Sequence, residues 1–170
     1  MNDVELRKQL ECAHGESFGW ALTCCRGDRD AAEEILQSVY LSVLDGRARF
    51  DGRSSVRTWL FGVIRVTAAA QRRSAWLRTL FLERVTNHAE PNSAPAADAG
   101  AERESRDGRL RAALLSLAKR QREVLQLVFY HDLTVEDAAG VMGVSVGSAR
   151  THYARGKQQL AKRLGRADDL

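Results

Sequence analysis

The chain has 170 residues, 44% hydrophobic and 28% charged, with a formal net charge of +4, enough for one ordinary domain or two small ones with real cores. No apolar run approaches the roughly 20 residues that cross a bilayer, and the amino terminus lacks the charged, apolar and small-residue order of a secretion signal, so a cytoplasmic location is expected. Cys12, Cys24 and Cys25 are an odd number without paired Cys-x-x-Cys spacing; the expectation is buried reduced thiols, with a metal or redox cluster beside His14 as the lesser alternative.

Charge is segregated along the chain. Asp28, Asp30, Glu33, Glu34 and Asp45 oppose only Arg29, whereas Arg47, Arg49, Arg53, Arg57, Arg65, Arg72, Arg73 and Arg78 oppose only Asp51. The acidic block suits a protein partner and the basic block a polyanion. Apolar residues recur at helical spacing and nothing alternates with period two, so the expected fold is all-α. Two small helical domains are expected, residues 1–84 and 108–170. Between them, residues 85–107 read as a flexible linker, rich in Ala, Ser, Asp, Glu and Gly and holding both prolines, Pro91 and Pro95.

In the first domain, a helix over about 30–44 has an inward stripe of Ala32, Ile35, Leu36, Val39 and Val43. Its other side, Glu33, Gln37, Tyr40, Leu41 and Leu44, mixes apolar and polar groups, which suits either a protein partner or a neighbouring helix. The next helix, about 54–73, sets Val56, Trp59, Leu60, Val63, Val66, Thr67 and Ala70 against Arg57, Phe61, Arg65 and Arg72. The loop Arg49-Phe50-Asp51-Gly52-Arg53-Ser54 leads into it. Cations meeting a backbone while rings stack on bases, at about 1–3 kcal/mol per base, would hold single-stranded nucleic acid. The alternative is that Phe50 and Phe61 fill gaps between helices.

In the second domain, Thr134 to Leu164 reads as a short helix, a Gly143-Val144-Ser145 turn and a basic helix. Small residues at Ala139 and Ala149 on either side of Gly143 let two helices approach around a sharp turn, the pattern of a helix-turn-helix. Tyr153, Gly156, Leu160 and Leu164 share the inward stripe of Ala149. Ser148, Thr151, Arg155, Gln158 and Lys162 face outward, flanked by Arg150 and Lys157, as base edges and phosphates require. An ordinary solvated helix face is the alternative.

The run Ala32-Glu33-Glu34-Ile35-Leu36-Gln37-Ser38-Val39-Tyr40-Leu41, then Phe50-Asp51-Gly52-Arg53-Ser54, then Thr58-Trp59-Leu60-Phe61-Gly62-Val63-Ile64-Arg65 resembles region 2 of the bacterial sigma factors, most of all the extracytoplasmic-function (ECF) group. Leu114-Leu115-Ser116-Leu117, Arg120-Gln121-Arg122-Glu123-Val124-Leu125, Thr134 to Ser145, Gly147-Ser148-Ala149-Arg150 and Arg155 resemble region 4 of the same group. The resemblance implies transcription initiation with core RNA polymerase, bound at the clamp helices of its largest subunit and at its flap. It implies that Glu33, Glu34, Gln37, Tyr40, Leu41 and Leu44 dock on the clamp. Phe50, Arg53, Ser54, Arg57, Phe61, Arg65, Arg72 and Arg73 would open the -10 element and hold its non-template strand. Ser145, Gly147, Ser148, Arg150, Thr151, His152, Arg155 and Lys157 would read the -35 element in promoter DNA, as recognition helices do. An anti-sigma factor that occludes these faces is implied as a further partner.

The chain departs from the family at several positions. Val66 and Ala70 stand where Asn and Asp are common, Ala138 where Ile is, Ala118 where Pro is, and Gly156 where Ala is. Two rivals remain. An enzyme acting on DNA needs clustered carboxylates or a nucleophile with its base; the acids lie on the docking-type helix or in the linker, and His14, His88, His131 and His152 are scattered. No catalytic residue, cofactor or metal is therefore expected. The second rival is a helix-turn-helix regulator, or a sigma-like protein that forms no active holoenzyme.

Overall fold

The computed structural model describes residues 3–85 and 103–165, and every regular element among them is a helix, as the periodicity leads one to expect. They form two compact units. The first is built on α1 (Asp3–Cys12), α2 (His14–Cys24), α3 (Arg29–Leu44) and α4 (Val56–Val85). The second is built on α5 (Arg103–Leu115), α6 (Lys119–Phe129), α7 (Val135–Met142) and α8 (Val146–Gly165). Of the stretch expected as a linker, residues 86–102 lie outside the described residues, while 85 ends α4 and 103–107 belong to α5.

In the first unit, α2 ends because Arg26 turns left-handed at φ +61°. Gly27 N then donates to Leu22 O at 2.8 Å and Arg26 N to Thr23 O at 3.3 Å, which satisfies carbonyls the helix leaves open. Asp28 starts α3 by accepting from Ala31 N at 3.1 Å, the usual role of an N-cap carboxylate. The buried residues of α3 are Ala32, Ile35, Leu36, Val39 and Val43, the stripe its spacing predicts.

α4 lies differently from the expectation in two ways. It runs on to Val85 rather than stopping near Arg73, and its buried side is Val56, Leu60, Phe61, Ile64 and Ala68. Val66, expected inside, is 60% exposed, and Ala70 is exposed. The reason is Trp20, fully buried on α2. Its ring stacks on Phe61 at 5.9 Å between centroids, and its Nε1 donates to Phe61 O at 3.0 Å. Burying two large aromatic rings together outweighs hiding Val66 and Ala70, so the helix is rotated toward Phe61.

In the second unit, Val124, Leu125 and Leu127 of α6 pack with Ala138, Ala139, Val141 and Met142 of α7 and Ala149 of α8. Thr134 caps α7 by accepting from Asp137 N at 3.0 Å. Gly143 ends it in the left-handed conformation (φ +63°), with Val144 N donating to Ala139 O at 3.1 Å. Ser145 then opens α8, accepting from Ser148 N at 3.2 Å. Arg120 of α6 donates to Met142 O at 2.9 Å, covering a carbonyl at the C-terminus of α7. Gly156 is buried on α8, facing Leu125 and Gln121 of α6.

Candidate nucleic-acid interface

Two surfaces of the first unit carry residues singled out by sequence. On α3, Glu33, Glu34, Gln37, Leu41 and Leu44 are all exposed, the two leucines by 52% and 53%. Among the described residues of this unit no helix buries Leu41 or Leu44, which is the unusual feature: two large aliphatic side chains left exposed, rimmed by acids and an amide. Glu33 pairs with Arg29 at 3.2 Å. Tyr40 is half-buried, and its hydroxyl hydrogen-bonds His14 Nδ1 at 3.1 Å. Burial raises the Tyr40 pKa, with a hydrogen bond to Ser17 opposing. Tyr40 and Leu44 also wall an open depression of about 470 Å³ that Arg7, Leu10, Glu11 and His14 complete.

The second surface is the loop before α4 with part of α4 itself. The loop is ordered by Asp51, whose Oδ1 accepts from Arg53 N at 3.1 Å, while Gly52 supplies a positive φ of +75°. Phe50 is half-buried with its ring edge-on to Trp59 at 5.5 Å, so part of the ring remains available. Arg53 and Arg73 are exposed, and Ser54 is half-buried.

Phe61 corrects the sequence expectation. It is 0% exposed, so it fills the gap beside Trp20 and cannot stack on a base. The arginines of α4 are also more engaged than their number suggests. Arg57 pairs with Glu16 of α2 at 3.1 Å and lies over the Phe61 ring. Arg65 is half-buried, and the Arg72 guanidinium donates to the Cys24 carbonyl at the end of α2. Two further arginines of the basic block and one aromatic that the sequence reading did not single out share this unit's surface. Arg47 pairs with Asp45 at 2.9 Å, Arg49 Nε donates to Gly46 O at 3.1 Å, and Trp76 is 62% exposed between Arg72, Arg73 and Arg78. Trp76 lies beyond residue 73, where the sequence spacing places the end of the helix, whereas α4 continues to Val85.

The cysteines sit apart from these surfaces in chemistry. Of the three thiols expected to be buried, only Cys24 is, while Cys12 is exposed and Cys25 half-buried; burial pushes the Cys25 thiol up against the pull of Arg72, which disfavours the thiolate. Among the described residues no group of three His, Cys, Asp or Glu could hold a metal ion.

In the second unit, α8 presents Ser145, Gly147, Ser148, Arg150, Thr151, Arg155 and Lys157 on an exposed side, while His152 is half-buried. Local bonds orient several of them. Ser145 Oγ donates to Ser148 Oγ at 2.9 Å, and Thr151 Oγ1 donates to Gly147 O at 3.0 Å, leaving its lone pairs outward. Lys157 Nζ lies 5.4 Å over the Tyr153 ring, which stacks on Phe129 at 5.8 Å. Arg150 Nη2 donates to Glu136 Oε1 of α7 at 2.6 Å. Glu136 was not singled out, because a partner 14 positions away leaves no short-range signal. Hydroxyls and cations on one side of a helix, with Ala149 and Gly156 seating the other, can meet base edges and phosphates together.

Comparison with known proteins agrees with this geometry. Residues 14–78 match the family "Sigma-70 region 2", and residues 107–160 match "Sigma-70, region 4". The ECF RNA polymerase sigma factor SigC of Mycobacterium tuberculosis is 30% identical over 141 residues, covering 83% of this chain and 74% of the relative. The ECF RNA polymerase sigma factor SigF of Caulobacter vibrioides is 31% identical over 137 residues, covering 80% and 72%. Among solved structures, the sigma factor RpoE of Bartonella quintana, in complex with the anti-sigma factor NepR, superposes with a TM-score of 0.71 at 21% identity, covering 95% of this chain and 97% of that one.

Proposed function

This chain belongs to the sigma-70 family, in the group of ECF RNA polymerase sigma factors, and we propose how its surfaces divide the work of directing core polymerase to promoters. The exposed leucines of α3, with Glu33, Glu34, Gln37 and Tyr40, dock on the clamp helices of the largest polymerase subunit. What supports this is an apolar patch in water with a polar rim. The loop of Phe50, Arg53 and Ser54 engages the -10 element, helped by Arg57, Arg65, Arg72 and Arg73, with Phe61 contributing only by holding α4 in place. In the second unit, Ser145, Gly147, Ser148, Arg150, Thr151, His152, Arg155 and Lys157 meet the -35 element. Exposed Phe129 and Tyr130 offer an apolar surface to the polymerase flap.

The observation that carries this reading is the outward side of α8. Its polar and cationic groups are exposed while Ala149 and Gly156 are buried, the division a major-groove helix needs. The factor works in the cytoplasm as a non-catalytic subunit, and no helix among the described residues is long and apolar enough to cross a membrane. By analogy with RpoE and NepR, its partners include an anti-sigma factor that covers these faces. In vitro transcription with purified core polymerase on a genomic library tests the reading: transcripts should start at a common promoter only when this protein is added. Equal initiation without it would overturn the proposal.

A further inference from the structure

A 2.6 Å ion pair ties the two helices of the helix-turn-helix together at the front of α8, from Arg150 Nη2 to Glu136 Oε1. The acceptor is well fixed. Glu136 stands in the first turn of α7, a turn locked by Thr134, which accepts from Asp137 N and donates to Asp137 Oδ2 at 2.7 Å. A carboxylate is also favoured near a helix N-terminus, and the hydrogen bond from Arg150 keeps this carboxyl below its ordinary range.

Stability does not explain the pair. Its side chains are 67% and 54% exposed, and exposed ion pairs add little to folding. It nevertheless places a negative charge beside the surface that is to meet a polyanion, which disfavours binding unless the carboxylate serves recognition. A guanidinium carries five N–H donors in a rigid fork. Glu136 accepts from one nitrogen, Nη2, and the rest of the fork is left for DNA.

We propose that Glu136 is a positioning residue for base readout: it holds Arg150 in one orientation so that the remaining N–H groups address O6 and N7 of a guanine in the upstream promoter element. This rests on the reading that α8 enters promoter DNA. Two physical effects follow. Arginine loses rotamer freedom when it is ordered on a base, and ordering it beforehand reduces that cost. The Glu136 charge also repels phosphate, so registers in which Arg150 meets only the backbone are penalised and the matched base is not. Glu136 therefore adds discrimination rather than affinity.

The test uses the full chain in holoenzyme with core polymerase, binding single-base variants of its own promoter and a non-promoter duplex, for wild type, E136Q, R150A and the double variant. E136Q should lose about tenfold in discrimination at one G·C pair, the pair at which R150A also loses it. The double variant should be no worse than R150A alone, and binding to the non-promoter duplex should hold or tighten. The inference is overturned if E136Q keeps full discrimination at the pair that R150A affects, or weakens binding equally on every duplex. A wild-type holoenzyme indifferent to the whole upstream element would overturn the functional reading as well, which separates the two failures.

Discussion

A β-carbon on Gly156 of α8 would stand 3.1 Å from Leu125 Cδ1 of α6, closer than side chains ordinarily pack. The two helices meet across that missing methyl. Alanine inside a helix gains about 0.5–1 kcal/mol over glycine, but overpacking a filled interior costs about 1–3 kcal/mol. Here Leu125 is 1% exposed and Gln121 Cβ, fixed to its own backbone, lies at 3.2 Å, so neither neighbour has room to yield. G156A is expected to lower stability by about 1 kcal/mol in urea unfolding. A gain in stability would show that Leu125 gives way.

Phe61 gives the clearest separation between packing and binding. Removing a ring that is fully buried against Trp20 should cost about 3–5 kcal/mol. F50A, at a half-buried loop position, should spare the fold and weaken binding of a single-stranded -10 oligonucleotide in holoenzyme. Chemical denaturation and oligonucleotide titration of both variants decide the matter. An F61A protein as stable as wild type but unable to hold the oligonucleotide would reverse the assignment.

The α3 face predicts the opposite pairing of outcomes. Gln37 and Leu41 are exposed, so Q37A combined with L41A should leave the unfolding free energy within about 0.5 kcal/mol of wild type. Affinity for core polymerase should fall at least about tenfold, the size expected when an interface loses an apolar anchor. Pull-down and equilibrium unfolding of the same preparation give both readings. Loss of folding would mean that this face is core.

The Glu136–Arg150 pair has a pH signature with a definite sign. Arg150 depresses the Glu136 pKa, so the pair contributes fully above the unfolded carboxyl value, and its contribution is lost as pH falls through the depressed folded value. Any difference in stability between wild type and E136Q is small, because the pair is exposed, but it should be present at neutral pH and close as acidification protonates the carboxylate. A difference that persists in acid would assign the effect to something other than this charge.

Much of the molecule is written in local spacing. The buried stripe of α3, the Gly143 turn, the seat of Ala149 and the exposed side of α8 each follow from residues within a few turns of one another, where helical periodicity fixes which side chains share a face. Family motifs in both halves were legible for the same reason: they are contiguous. The rotation of α4 was not, since Val66 and Phe61 are both apolar and lie on different sides of one helix. Nor was Glu136, whose partner lies on the other helix of the motif.

The sequence by itself thus determined an all-helical chain, its helix-turn-helix and its family, because those depend on near neighbours along the backbone. Only the tertiary structure decided which apolar stripe of α4 turns inward, which arginines are already engaged by Glu16 or the Cys24 carbonyl, and which carboxylate steadies Arg150. Those outcomes belong to pairs 14 to 48 positions apart. They are settled by competition between large rings, carbonyls and charges for the same space, which no single helix can register alone.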